Sequence, residues 1–183
     1  MLKGNIMHET LEDLQDLQKL LDQSHAARGW LWSIITDDRR LTAQQLSDRL
    51  TGMRLLSLAT VTKDGRPRNA PVDGFFYRGA FRFGLSPHAL RIRHIRQRPE
   101  VSATYLEGEA LSIVVHGRAE ILDHETEEFL GFARYATETY GEWWPKQMIT
   151  WREEFGEPAP YGRIEADRMF VFAMTGSDAA AAS

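Results

Sequence analysis

The chain of 183 residues contains no cysteine. Disulfides, thiolate metal sites and thiol nucleophiles are therefore excluded, and the composition suits a reducing cytoplasm. Long hydrophobic runs are missing as well. Nothing approaches the ~18 apolar residues of a membrane span, and the start, MLKGNIMHETLEDLQ, lacks the apolar block of a signal peptide. A soluble, cytoplasmic protein with no membrane partner is expected. Positive charge is in deficit, with 22 Lys and Arg against 26 Asp and Glu and a formal net charge of -4. Phosphate neutralisation wants a basic surface, so nucleic acid is not an expected partner. The sequence also has no G-x-S-x-G elbow, no phosphate loop ending in G-K-[ST], no G-x-G-x-x-G and no H-E-x-x-H, and familiar hydrolase and nucleoside-triphosphatase readings lose support. Its six histidines are scattered, so no metal site is expected. His124, beside the acids of DHETEE, reads as part of a helix start, and His116 as a polar-face or core residue of a strand.

What is present reads as one domain, with 43% hydrophobic and 26% charged residues, close to the globular average. HETLEDLQDLQKLLDQ (8–23) places Leu11, Leu14, Leu17, Leu20 and Leu21 at helical spacing. In LTAQQLSDRLTG, Thr42 and Gln45 form a capping-box pattern and Gly52 stops the helix. MRLLSLATVT (53–62), the turn KDG (63–65) and RPRNAPVDGFFY form a hairpin, and RG at 78–79 turns the chain into AFRFGL. There Phe81 and Phe83 take a buried face, Arg82 and Gly84 an open one. EVSATYLE (100–107), ALSIVVHGRAEILD (110–123) and YGRIEADRMFVFAM (161–174) are three more strands, with a bulge or bend at Gly117. HETEEFLGFARYATETYG is helical, followed by a segment holding Trp143, Trp144 and Trp151. The fold class expected is mainly β with flanking helices (α+β): a six-stranded antiparallel barrel, with a sandwich as nearest rival. Residues 1–47 read as a helical extension, 48–174 as the barrel domain and 175–183 as a disordered tail.

Against the acidic total, SPHALRIRHIRQRP (86–99) carries four arginines, two histidines and no acid. Ser86 and Pro87 read as an N-cap and first helical residue, so a helix is expected from there to about Gln97. Its N-terminus would present free N–H groups and partial positive charge to an anion, with the Ser86 hydroxyl beside them. At 100° per residue Arg91, His94 and Arg98 share one face, while Ile92 and Ile95 turn toward the barrel. Two readings stand: a small anionic partner, or a solvated face paired with glutamates elsewhere. Arg68 and Asn69, on the second strand, could face the same cleft.

The order LATVTKDGRPRNAPV, AFRFGL, basic helix, RPEV, GRAEIL resembles the pyridoxamine 5'-phosphate oxidase-like, FMN-binding split-barrel superfamily over about residues 48–123, with a continuation to 174. The resemblance implies a split barrel that pairs into a homodimer with two flavin sites at the interface. It implies that Arg91 holds the flavin phosphate, with Arg93 adding basic charge, that Ser86 lies in a cofactor-contacting segment, and that Arg68, Asn69 and Ala70 run along the flavin ring and ribityl chain. Two positions depart from the pattern: Leu85 stands where relatives carry Thr or Ser, and Arg98 replaces Asn before Pro99. The leucines at 11–21 and the tryptophans at 143, 144 and 151 suit either an apolar dimer surface or ordinary core packing.

The expected function is an FMN-dependent oxidoreductase acting on a small-molecule substrate, with the redox chemistry left to the cofactor and no catalytic side chain identified. Two alternatives remain: use of the 8-hydroxy-5-deazaflavin coenzyme, whose acidic tail suits Arg91, Arg93 and Arg96, and a flavin- or haem-binding module without turnover.

Overall fold

A computed structural model describes residues 8–174; the tail expected at 175–183 lies outside them. The helix α1 (Leu11–Ala26) opens on a capping box, in which the Thr10 side chain accepts from Asp13 N–H and the Asp13 carboxylate accepts from Thr10 N–H at 2.8 Å. Two short 3₁₀ turns, Gly29–Ser33 and Asp37–Arg39, lead to α2 (Ala43–Arg49), capped by Thr42 and Gln45 as the sequence pattern requires. Six strands follow, β1 (Met53–Val61), β2 (Pro67–Tyr77), β3 (Ala80–Gly84), β4 (Glu100–Glu107), β5 (Leu111–Ile121) and β6 (Tyr161–Ala173). They close into an antiparallel barrel in the order β1-β2-β3-β6-β5-β4. Between them sit α3 (Leu90–Gln97), α4 (Glu127–Tyr140) and α5 (Trp143–Phe155).

Local chemistry explains the joints. Arg78 and Gly79 both take positive φ, 51° and 72°, which a two-residue hairpin needs for its twist to match the strands. The bulge falls at Gly117, where the β5–β6 register shifts. A Cβ there would stand 2.0 Å from the Glu165 carbonyl oxygen, so only glycine lets the strands approach.

Two cores result. The barrel interior holds Leu56, Leu58, Phe81, Phe83, Ile113, Ile164 and Met169, and Leu17 and Leu21 of α1 and Leu46 and Leu50 of α2 extend it. The second core is aromatic and lies outside the barrel: Phe75, Tyr77 and Tyr161 pack against Phe132, Tyr135 and Trp144 of α4 and α5. Core packing thus claims the buried leucines and Trp144, while Trp143 is 54% exposed. The short β3 pairs with β6 only through Tyr161, Gly162 and Arg163, so among the described residues the rest of β6 has no strand on that side. Helix α1 packs there instead. The buried Ser24 hydroxyl donates to Leu20 O at 2.7 Å and accepts the Met169 N–H at 2.9 Å.

The structure corrects two expectations. Arg82 is not on an open face: α4 covers β3, and Arg82 is 3% exposed. Its Nη2 donates to Glu128 Oε1 at 2.7 Å and its Nη1 to the carbonyls of Tyr77 and Ala80. Ser86 does not cap a helix. Residues 86–89 form a turn closed by Ala89 N–H to Ser86 O at 3.1 Å, with His88 at φ 64°, and α3 begins at Leu90 with Ala89 as a cap that offers no side-chain bond. Proline's fixed φ suits the second turn position as well as a first helical one, and the left-handed residue after it breaks the helical path.

Candidate functional site

The later start of α3 places Arg91 at the second helical position, while Ile92 and Ile95 anchor the helix in the barrel core. Arg91 then lines a cleft of about 440 Å³, whose other walls include Pro71 and Asp73 of β2, Leu85 and Ser86 after β3, Trp151 of α5 and Tyr161 of β6. Its Nη2 reaches Ala70 O only at 3.4 Å, longer than an ordinary N–H···O bond, so most of its donors remain available. Burial holds the guanidinium below its usual pKa. A half-buried cation with spare donors in a cleft has the chemistry to bind an anion. Ser86, exposed at the same cleft, adds a hydroxyl whose own bond, to Pro87 O, is a weak 3.4 Å.

The remaining positions anticipated from the sequence separate. Ala70 touches the site through its carbonyl. Asn69 faces Ala59 across the ladder and donates to Ser57 Oγ at 2.8 Å. Arg68 lies opposite Thr60, exposed. From Pro67 to Pro71 every residue of β2 is exposed, an unusual condition for a paired strand. Arg93 is turned away from Arg91 and lines a different recess with Arg96 and Gln97. The rest of the expected basic face docks onto the hairpin: His94 Nδ1 lies 3.1 Å from Thr60 Oγ1, and Arg98 donates to Lys63 O at 2.8 Å.

Sequence reasoning missed the far wall of the cleft. Trp144 Nε1 donates to Tyr161 Oη at 2.8 Å, and Tyr140 Oη donates to Asp73 Oδ2 at 3.3 Å. Since the Tyr161 oxygen already accepts from the indole, its own hydrogen is free to donate. Burial pushes its pKa up to about 12, so the phenol stays protonated at neutral pH. The Tyr140 pKa is also raised, first by burial and then by the Asp73 charge. Gly84 makes room for this arrangement, because a Cβ there would lie 3.2 Å from the Tyr161 ring. The cleft is thus cationic at Arg91, apolar along Pro71, Leu85 and Trp151, and polar at Tyr161 and Asp73. No single motif announces residues drawn from β2, α5 and β6.

Comparison with known proteins follows the same lines. Residues 42–172 match the family profile described as Pyridoxamine 5'-phosphate oxidase. None of the curated proteins matches the sequence. Among solved structures, a conserved hypothetical protein of Mycobacterium tuberculosis is similar at 19% identity and TM-score 0.58, over 75% of this chain and 88% of that one. The haem storage protein HutZ of Vibrio cholerae shares 19% identity at TM-score 0.54, over 66% and 85% of the two chains. A FAD-binding protein of Mesorhizobium loti shares 22% at TM-score 0.53, over 74% and 96%. At these identities the likeness concerns the fold. No helix among the described residues is long and apolar enough to cross a membrane.

Proposed function

Because the chain belongs to the pyridoxamine 5'-phosphate oxidase family, we propose that it is an FMN-dependent oxidoreductase of a small molecule, working as a cytoplasmic homodimer. The observation that carries this reading is Arg91: a partly desolvated guanidinium whose only hydrogen bond among the described residues is a long one to Ala70 O, in the wall of a cleft of about 440 Å³. The donor set fits a phosphate, with Arg91 as the charged clamp and the Ser86 hydroxyl beside it. Bound FMN would supply the electron and hydride transfer. The chain's own part is to bind and orient. Pro71, Leu85 and Trp151 exclude water, Asn69 and Arg68 offer the exposed half of β2 to the ribityl chain and ring, and the protonated Tyr161 presents a donor to the reacting partner. The strand exposed from Pro67 to Pro71 supports the dimer, since a second copy would cover what this copy leaves open.

Titration of the purified protein with FMN, followed by absorbance and tryptophan fluorescence, tests the reading. Arg91→Ala is expected to weaken FMN binding by about 1.5–3 kcal/mol, the range for a charge-assisted hydrogen bond, with an unchanged melting profile of the free protein. Equal affinity in the variant would remove Arg91 from the site. A preference for the 8-hydroxy-5-deazaflavin coenzyme, seen as a single violet band, would replace FMN while keeping the anion site. A haem-binding module without turnover is the second reading, drawn from the V. cholerae relative. Among the described residues no His or Met lines this cleft, and Tyr161, the one side chain of axial-ligand type there, already accepts the Trp144 indole N–H.

A further inference from the structure

The cleft carries one negative charge that the chain leaves uncancelled. Among the described residues Asp73 is the only acid in its lining, and it makes no ion pair. Its one side-chain hydrogen bond comes from Tyr140 Oη to Oδ2 at 3.3 Å, which leaves Oδ1 open to the cleft. The ladder sets what faces it. Leu55 pairs with Asp73 and Gly84 with Tyr161, and since Gly74 pairs with Phe83, the next rung puts Asp73 beside Gly84. These four residues form one row across β1, β2, β3 and β6 on the outer face of the barrel. At about 4.8 Å between strands, the backbones of Asp73 and Tyr161 stand about 10 Å apart, with no side chain between them. The Tyr161 phenol leans into that gap, because a Cβ on Gly84 would lie 3.6 Å from its Oη. Burial raises the pKa of both Tyr140 and Tyr161, so neither phenol adds a second negative charge. Trp151 supplies another aromatic wall, and Leu55 and Leu85 an apolar one.

The cation of the same cleft lies apart from this acid. Arg91 meets β2 at Ala70 O, and Asp73 is three residues further along the strand, about 10 Å at about 3.3 Å per residue. The two charges are far enough apart to serve two ligands. Resting on the flavin reading above, which gives Arg91 to a phosphate, we propose that Asp73 recognises the second ligand, and that the small-molecule substrate is an organic cation, an ammonium group on an apolar body. The ammonium donates to Asp73 Oδ1 while Tyr140 holds the other carboxylate oxygen in place. The ring faces of Trp151 and Tyr161 attract the same charge, as aromatic walls do for ammonium ligands. Leu55 and Leu85 take the apolar body. An anionic substrate would meet the Asp73 charge unscreened, and a neutral one would leave that charge without a partner.

The test uses two probes of one shape, benzylamine, protonated at neutral pH, and benzyl alcohol, its uncharged counterpart. Their affinities for the wild-type chain and for Asp73→Asn are measured by calorimetry and ligand-observed NMR, with and without FMN. With FMN bound, the wild type is expected to hold benzylamine at least about fivefold more tightly than benzyl alcohol, the size of a half-exposed ion pair joined by a cation–π contact. Asp73→Asn should bring that ratio to within about twofold. Its FMN affinity and urea midpoint should stay as in the wild type, since asparagine keeps an acceptor for Tyr140 and the phosphate site lies elsewhere. Without FMN the benzylamine preference should shrink, because Arg91 then faces the cleft with its charge uncovered. Equal binding of the two probes by the wild type, or a preference that survives in Asp73→Asn, overturns the proposal, and FMN binding in the same titrations leaves the flavin reading intact. An Asp73-dependent preference in a chain that does not bind FMN ends the flavin reading and keeps the cation site. Absence of both ends both.

Discussion

Replacing Glu128 with alanine would expose the energetics of the contact that fastens α4 to the barrel. Glu128 Oε1 accepts from Arg82 Nη2 at 2.7 Å and Oε2 from Arg163 Nη1 at 2.9 Å. The Arg82 side chain is 4% exposed and that of Arg163 30%, and Arg163 also donates to Glu120 at 2.9 Å. Removal of one partner from a buried pair costs about 3–5 kcal/mol, because the remaining charge stays desolvated. Arg82 keeps two carbonyl acceptors and Arg163 keeps Glu120, which points to the lower end, about 3 kcal/mol. With a urea slope of about 2 kcal/mol/M, the unfolding midpoint should fall by about 1.5 M. The comparison that isolates the cause is Arg82→Met/Glu128→Gln, which removes the buried charge with its partner and should lie within about 1 kcal/mol of wild type. A midpoint shift below about 0.5 M for Glu128→Ala, or a double variant as damaged as the single one, would refute the reasoning.

Further outcomes follow from other contacts. Gly117→Val should destabilise the fold by about 3 kcal/mol in urea titration, because a side chain there would overlap the Glu165 carbonyl. Ser24→Ala should cost about 2 kcal/mol, as the buried Met169 N–H loses its acceptor; hydrogen exchange at that amide should accelerate. Burial pushes the Asp13 carboxyl up, but the Thr10 N–H and the Arg78 guanidinium outweigh it and hold the pKa below its ordinary 3.8. Such a group stabilises the fold above its unfolded pKa, and the contribution disappears as pH falls through the folded value. Asp13→Asn should therefore cost about 1 kcal/mol at pH 7, and denaturant midpoints of variant and wild type should converge as the pH falls through the depressed value of the folded carboxyl.

Much of this architecture is legible in short-range pattern. Thr42 with Gln45 and the Arg78–Gly79 turn act over a few residues, and each does what its local chemistry requires, while Gly117 shows in the sequence as a break in a strand although its reason, the Glu165 carbonyl, lies 48 residues on. The α3 boundary is not legible in the sequence, because Ser86–Pro87 satisfies a helix cap and a turn equally well; the left-handed His88 decides it. The burial of Arg82 is not legible in its strand, because its cover comes from Glu128, 46 residues away, and alternation along a strand does not say what lies over its second face. In the candidate site, Arg91 and Ser86 were within reach of pattern and resemblance. Helical angle alone separates Arg93 from Arg91, since residues two positions apart on a helix point about 200° apart. Asp73, Trp151 and Tyr161 were beyond reach, since only the closing of the barrel brings β2, α5 and β6 together.

The Ser24 bridge gives the N-terminal segment a role beyond covering apolar surface. A hydroxyl standing in for a missing rung fixes helix α1 against β6 in one axial position, because sliding by a turn would carry that oxygen about 5.4 Å from the amide it serves. A chain deprived of that segment would bare an open row of amides and carbonyls on β6, a template on which other chains could add strands. The segment thus covers the edge by which the barrel's longest strand would otherwise stand open to other chains.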